Sequence, residues 1–168
     1  MTDIRPITDA DIDAVAALHV RAWQAGYAGI MPAGFLAALD PAAFAERRRS
    51  RPRPPGAATL VAVDRGLIIG FANFGPYRTD PPEAAELYAL YVDPERWGTG
   101  IGRALMAAAR TALVRDGWTE MRLWVLEDNH RARRFYERAG LAPDGGRDVF
   151  TPRGTTVELP EIRYSGRL

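Results

Sequence analysis

Seven residues near the middle of the chain, Trp97-Gly98-Thr99-Gly100-Ile101-Gly102-Arg103, have the composition of an anion site. They follow an apolar stretch that reads as a strand, and they open a stretch that reads as a helix. Glycines let backbone N–H groups approach a ligand closely. A helix N-terminus adds unpaired donors and partial positive charge. Together these suit a pyrophosphate. Three cofactor readings compete. A dinucleotide fingerprint needs Gly-x-Gly-x-x-Gly, but counted from Gly98 or Gly100 its sixth position is Arg103 or Leu105. A Walker loop needs a lysine, and the chain has none: all 22 basic residues are arginines. The third reading is coenzyme A. A flexible turn is the alternative without chemistry.

A second group lies downstream. Asn129 and Tyr136 are seven residues apart, almost two helical turns, so they share a helix face about 10 Å apart along the axis. Read alone, Asn129 is as well suited to capping a helix, and Tyr136 to a core.

Gly100-x-Gly102, three residues past Trp97, resembles the pyrophosphate loop of the GNAT superfamily of N-acetyltransferases, Gln/Arg-x-x-Gly-x-Gly/Ala. Asn129-x-x-Ala132-x-x-Phe135-Tyr136-x-x-x-Gly140-Leu141 resembles the same family's last core helix, and the two blocks have the usual separation. Ile4-Arg5-Pro6 followed by Asp9-x-Asp11 looks like its opening. The resemblance is specific between Glu86 and Leu141. Two residues depart from it: Trp97 stands where Gln or Arg is usual, and Leu141 replaces Phe. The first removes a polar side chain beside the phosphates but leaves the backbone donors.

The resemblance implies an α/β GNAT fold, with a mixed, mostly antiparallel sheet and helices on both faces. It implies acetyl-CoA as cosubstrate, no metal, and direct attack by a primary amine in a ternary complex. The strand Glu86–Val92 would splay from its neighbour, and pantetheine would pair with the backbone of Leu90, Tyr91 and Val92 as an added strand. Trp97, Gly98, Thr99, Gly100, Ile101 and Gly102 would hold the pyrophosphate, with Arg103 reaching its oxygens. Asn129 would meet a pantetheine amide, and Tyr136 the sulfur. An ammonium with pKa near 10 must lose a proton before it attacks. Glu86, sixteen residues before Gly102, occupies the place of a base used by some members, and its apolar neighbours Leu87 and Tyr88 would push its pKa up. Glu83, in the preceding loop, is a weaker candidate, and a water chain is the alternative. The acceptor would be a small-molecule or peptide amine. Rival readings are a non-catalytic acyl-CoA sensor and a protein N-terminal acetyltransferase.

The elements that must position these residues are legible from periodicity. A short strand at 4–7 leads to a helix that Thr8 or Asp9 caps, running to about Gln24. Pro32 and Pro41 open two more helices, the second ending in Arg47–Arg49. A hairpin pairs 59–63 with 67–74 across Asp64-Arg65-Gly66. The strand 86–92 precedes a helix over 98–115, with Ile101, Leu105, Ala108, Ala112 and Leu113 inward. A strand at 121–126 and a helix at 129–139, ended by Gly140, follow. Two strands, 148–151 and 156–164, close the chain. This reads as one domain over residues 1–168.

Composition sets bounds. Of the 168 residues, 47% are hydrophobic and 26% charged, ordinary for a globular protein. A net charge of +1 gives no reason to expect a nucleic-acid partner. No cysteine means no disulfide, thiolate metal site or Cys nucleophile. His19 and His130 are too few for most zinc sites; His19 reads as packed or as pocket lining. No apolar run is long enough for a membrane span, and the N-terminus lacks a signal core. The expectation is a cytoplasmic protein with no membrane partner; the resemblance also allows a homodimer.

Overall fold

The computed structural model describes residues 2–168. β1 (Thr2–Pro6) runs into a single 3₁₀ turn, Asp9–Asp11, and then into α1 (Ile12–Gly26). The Asp11 carboxylate fastens this corner. It accepts from Arg5 at 2.7 and 2.9 Å and from the backbone and hydroxyl of Thr8, each at 2.8 Å. The Arg5 guanidinium holds its pKa well below the usual carboxylate range. The short helix α2 (Ala33–Ala37) precedes α3 (Pro41–Ser50), which Asp40 caps through Ala42 N–H at 2.9 Å.

The hairpin joins β2 (Ala58–Asp64) to β3 (Leu67–Pro76) across Arg65 and Gly66, both at positive φ. β4 (Ala85–Val92), α4 (Ile101–Arg115), β5 (Glu120–Leu126), α5 (His130–Arg138), β6 (Ala142–Phe150) and β7 (Leu159–Arg167) complete the chain. The strands form one seven-stranded sheet, ordered β1-β2-β3-β4-β5-β7-β6. Every pairing is antiparallel except β4 with β5.

Alternation along the strands buries both faces. Val61 and Phe71 turn toward Val15, Leu18 and Ala22 of α1. Ala62, Ala72, Phe74, Leu87, Leu123 and Ile162 turn the other way, toward Leu105, Ala109 and Leu113 of α4. Gly70 permits the second packing: a Cβ there would stand 2.9 Å from Leu105 Cδ1 and 3.1 Å from Tyr91 O. Leu105 is fully buried. Leu105→Ala should lower unfolding free energy by about 2–5 kcal/mol, read as a lower denaturation midpoint at unchanged slope.

Several boundaries differ from expectation. β1 covers residues 2–6 rather than 4–7. α4 starts at Ile101 rather than Gly98, because Gly98 and Gly100 both take positive φ and form the turn before it. Its buried side chains include Met106 and Ala109, while Ala108 and Ala112 lie only partly inside. β6 begins at Ala142 rather than Asp148: Pro143-Asp144-Gly145-Gly146 forms a bulge within the strand, with Asp144 accepting from Gly146 N–H at 2.9 Å. β7 begins at Leu159 rather than Thr156 and runs to Arg167. None of the described helices is long and apolar enough to cross a membrane.

Candidate active site

The sheet opens at its centre. β4 and β5 pair at only two positions, Ala85 with Met121 and Glu86 with Arg122. On its other side β4 stays paired with β3 to Val92, but the register shifts at Asn73/Phe74, so that Tyr88 is an extra residue on β4. A bulge raises local twist and bends its strand. Beyond it β4 diverges from β5, and the β4 backbone facing β5 is left without a strand partner. A cavity of about 960 Å³ fills the divergence.

Ten of the residues expected to bind cofactor line this cavity: Leu90, Tyr91, Val92, Trp97, Gly98, Gly100, Ile101, Gly102, Arg103 and Asn129. Thr99 does not; its hydroxyl turns back to donate to Arg96 O at 2.6 Å. Gly100, at φ 92, caps α4 without a side chain. The first intrahelical bond is Ala104 N–H to Gly100 O, so the N–H groups of Ile101, Gly102 and Arg103 have no partner within the helix. Gly102 lets α4 approach α5: a Cβ there would meet Phe135 at 3.3 Å.

Trp97 does more than occupy the place of Gln or Arg. Its Nε1 donates to Val92 O at 2.9 Å, tying the loop to the end of β4. Arg131 lies over its ring, 3.2 Å from guanidinium carbon to centroid. Arg131 therefore returns a guanidinium beside the loop from a different element. Arg96, Arg131 and Arg138 line the cavity and were absent from the sequence reading. The position of Arg131 in the first turn of α5, two residues after Asn129, was the available signal. Asn129 caps α5, its Oδ1 accepting from Ala132 N–H at 3.2 Å, and it also lines the cavity.

The two residues expected to be catalytic are not brought together on one wall. Tyr136 lines the cavity, its ring against Phe135 at 5.4 Å and Tyr164 at 6.4 Å. Burial, and then Tyr91, push its phenol pKa well above the ordinary value. Glu86 is 1% exposed and is not part of the cavity wall. Arg78 covers it, with Nη2 at 2.5 Å from Oε1 and Nε at 3.3 Å from Oε2. Leu87, Tyr88 and the apolar sequence around them gave no warning of that partner. Glu83 pairs with Arg122 at 3.8 Å.

Across the cavity the wall is aromatic. Trp23, Tyr27, Trp124 and Phe150 contribute to it, and the Tyr27 and Tyr91 hydroxyls share a hydrogen bond at 3.0 Å. His19 packs among Trp23, Phe44, Phe71 and Tyr91, and its Nε2 has no hydrogen-bond partner among the described residues. Burial, then Arg48 and Arg47, lower its pKa to about 3, so it is neutral at physiological pH.

Comparison with known proteins decides the family. The model of the Acetyltransferase (GNAT) family matches residues 18–141, from α1 through α5. The chain belongs to the GNAT acetyltransferase family. Its match to an uncharacterized N-acetyltransferase of Bacillus subtilis, YuaI, is 36% identical over 131 residues, 77% of this chain and 74% of the relative. It is 29% identical to a probable N-acetyltransferase of Mycobacterium tuberculosis, Rv2775, over 96% of this chain and 91% of that one. Among solved structures, the PaiA N-acetyltransferase of Thermoplasma acidophilum in complex with coenzyme A superposes with a TM-score of 0.73. That match covers 100% of this chain and 99% of the other at 21% identity, a likeness of fold. This GNAT chain is an acyltransferase.

Proposed function

We propose that the chain acts as one N-acetyltransferase domain, moving an acetyl group from acetyl-CoA to a primary amine by direct attack in a ternary complex. The divergence of β4 from β5 after Glu86 carries this reading. It leaves amide donors and acceptors along 88–92 that can pair with the two amides of pantetheine as a strand would. The groove leads from those amides to the unpaired N–H groups of Ile101, Gly102 and Arg103, where a pyrophosphate fits. The fold neighbour that holds coenzyme A is in keeping with it.

Leu90, Tyr91 and Val92 then serve through their backbone, and the loop from Trp97 to Gly102 through its donors. Asn129 gives its Oδ1 to the α5 cap, and its amide N–H₂ is the end that meets a pantetheine carbonyl. Tyr136 donates a hydrogen bond to the departing sulfur. A backbone N–H of β4 meets the oxyanion of the tetrahedral intermediate.

Arg131 reaches the phosphates from above the Trp97 ring. Arg131→Ala should weaken CoA about tenfold in calorimetry, with a shallower dependence on salt, as for the loss of one hydrogen bond to a charged group. Unchanged affinity and salt dependence would remove it from the site.

The test of the whole reading is acetyl transfer. Acetyl-CoA and a broad panel of amines should give N-acetylated product with one CoASH released per turnover. Tight CoA binding with no turnover on any amine would make the chain a sensor instead.

A further inference from the structure

The cavity has two electrostatically different ends. At the phosphate end stand Arg96, Arg103 and Arg131. At the other end Arg78 is committed to Glu86, and Arg163 to Asp144 at 2.8 Å. One carboxylate of the cavity wall stands there outside those ion pairs. Glu161 lines the cavity and makes no hydrogen bond or ion pair among the described residues. It stands on β7 opposite Leu126 of β5 and Asp148 of β6. Alternation turns it away from buried Ile162 and Tyr164, to the face where Trp23, Phe150 and Leu159 gather. Tyr27, Tyr136 and Glu161 line the same cavity.

Resting on the acetyltransferase reading, we propose that Glu161, not Glu86, receives and deprotonates the acceptor, and that the acceptor is a cationic primary amine on an apolar or aromatic body without a carboxylate beside the nitrogen. The charges at this end argue for a cation: Glu86 and Arg78 cancel, while Glu161 and neighbouring Asp148 do not. The aromatic wall offers ring faces to a carbon body and to an ammonium. A carboxylate next to the reacting nitrogen would lie close to the Glu161 carboxylate and be repelled by it, while Arg78 and Arg163 are already paired.

The step balances. The ammonium R–NH₃⁺ gives one proton to the Glu161 carboxylate, which later releases it to solvent. The freed lone pair forms the C–N bond at the thioester carbonyl. The tetrahedral intermediate collapses, breaking the C–S bond. The departing sulfur is met by a hydrogen bond from the Tyr136 hydroxyl and ends with the nitrogen's second proton, relayed through that hydroxyl without a free phenolate forming. The products are the N-acetyl amide and CoASH.

The surroundings raise the Glu161 pKa and make it a stronger base than an exposed carboxylate. Burial pushes the Glu161 pKa up, Arg78 opposes this, and Asp148 and Glu86 add to the rise. Tyr27 faces it as a neutral phenol, its pKa raised well above ordinary by burial. Glu86 acts here as a positioning residue: it pairs with Arg78 at 2.5 Å, and its own charge adds to the rise at Glu161. Removing that charge would leave Arg78 unopposed and lower the Glu161 pKa.

The experiment is a pH profile of kcat/KM on the full chain with acetyl-CoA and 2-phenylethylamine. Glu161→Gln should lower kcat/KM at pH 7 by about 10²–10⁴-fold and abolish the acidic limb, with CoA affinity and Tm kept. Glu86→Gln should keep that limb and move it to lower pH. A limb that survives Glu161→Gln overturns the assignment, as does one erased by Glu86→Gln. The unmodified protein gives an arm that needs no variant: 2-phenylethylamine should exceed phenylalanine by at least tenfold in kcat/KM, although the amino acid is the weaker base and is more readily deprotonated. A preference for phenylalanine overturns the acceptor class. Absence of transfer to every amine overturns the acetyltransferase reading itself, and is told apart by the unmodified protein failing where only the variant should.

Discussion

Replacing Gly100 with aspartate should reduce CoA affinity by 10²-fold or more while the protein stays folded. Gly100 sits at φ 92, just before the three unpaired N–H groups of α4. A Cβ there finds room, since its nearest neighbour is Arg103 Nη2 at 3.6 Å. Sterics therefore cost little, and the left-handed backbone costs about 1–2 kcal/mol for a residue with a Cβ. The charge is the larger effect. A carboxylate about 4 Å from a phosphate oxygen is repelled by roughly 4 kcal/mol at an effective dielectric near 20. It would also draw Arg103 to itself and remove a cation from the ligand. Gly100→Asn separates the two contributions, because asparagine tolerates this conformation and carries no charge. Calorimetry should rank the proteins as unmodified, then Asn, then Asp, with a steep step between the last two. Equal affinity for folded Asn and Asp variants would mean that no phosphate approaches this turn.

Local chemistry explains which parts of the site could be read from sequence. The glycine turn and the α5 face are each contained within about eight residues, so spacing alone places their donors on one surface. Loop and helix share the cavity wall, Thr99 excepted. Glu86 was harder. Its position on β4 could be read, but its partner Arg78 lies in the segment before the strand, and no period links the two. Glu161 was hidden for a related reason. Whether a carboxylate on a terminal strand meets solvent or a cavity depends on β7 pairing with β5 and on β5 parting from β4. Both are long-range facts of topology. The early start of β6 was lost to Asp144-Gly145-Gly146, residues that belong to turns by preference but are held in a strand bulge by their neighbours. In each case tertiary pairing overrode a local signal.

Tyr136→Phe should cut kcat by about 10²-fold, the lower end of the range for acid–base groups, and leave the Kd for acetyl-CoA nearly unchanged. The ring contacts with Phe135 and Tyr164 survive in phenylalanine. The hydroxyl makes no hydrogen bond among the described residues, so its loss leaves no buried partner unsatisfied. Stability should therefore hold. Burial lifts the phenol pKa far above that of a thiol, near 8.5. Complete transfer of its proton to a thiolate is then uphill, and a strong hydrogen bond as the C–S bond stretches is the larger part of its effect. That bond is weak to the thioester and strong to the developing thiolate, so it acts on kcat and not on ground-state affinity. The raised pKa also fixes a sign. The phenol stays protonated past pH 10, so any basic limb below that pH must persist unmoved in Tyr136→Phe. Steady-state rates on thioesters of graded leaving-group pKa give the sharper check: the penalty for losing the hydroxyl should grow as the leaving thiol becomes more basic. A constant penalty, or a loss of affinity at unchanged kcat, would make Tyr136 a packing or binding residue.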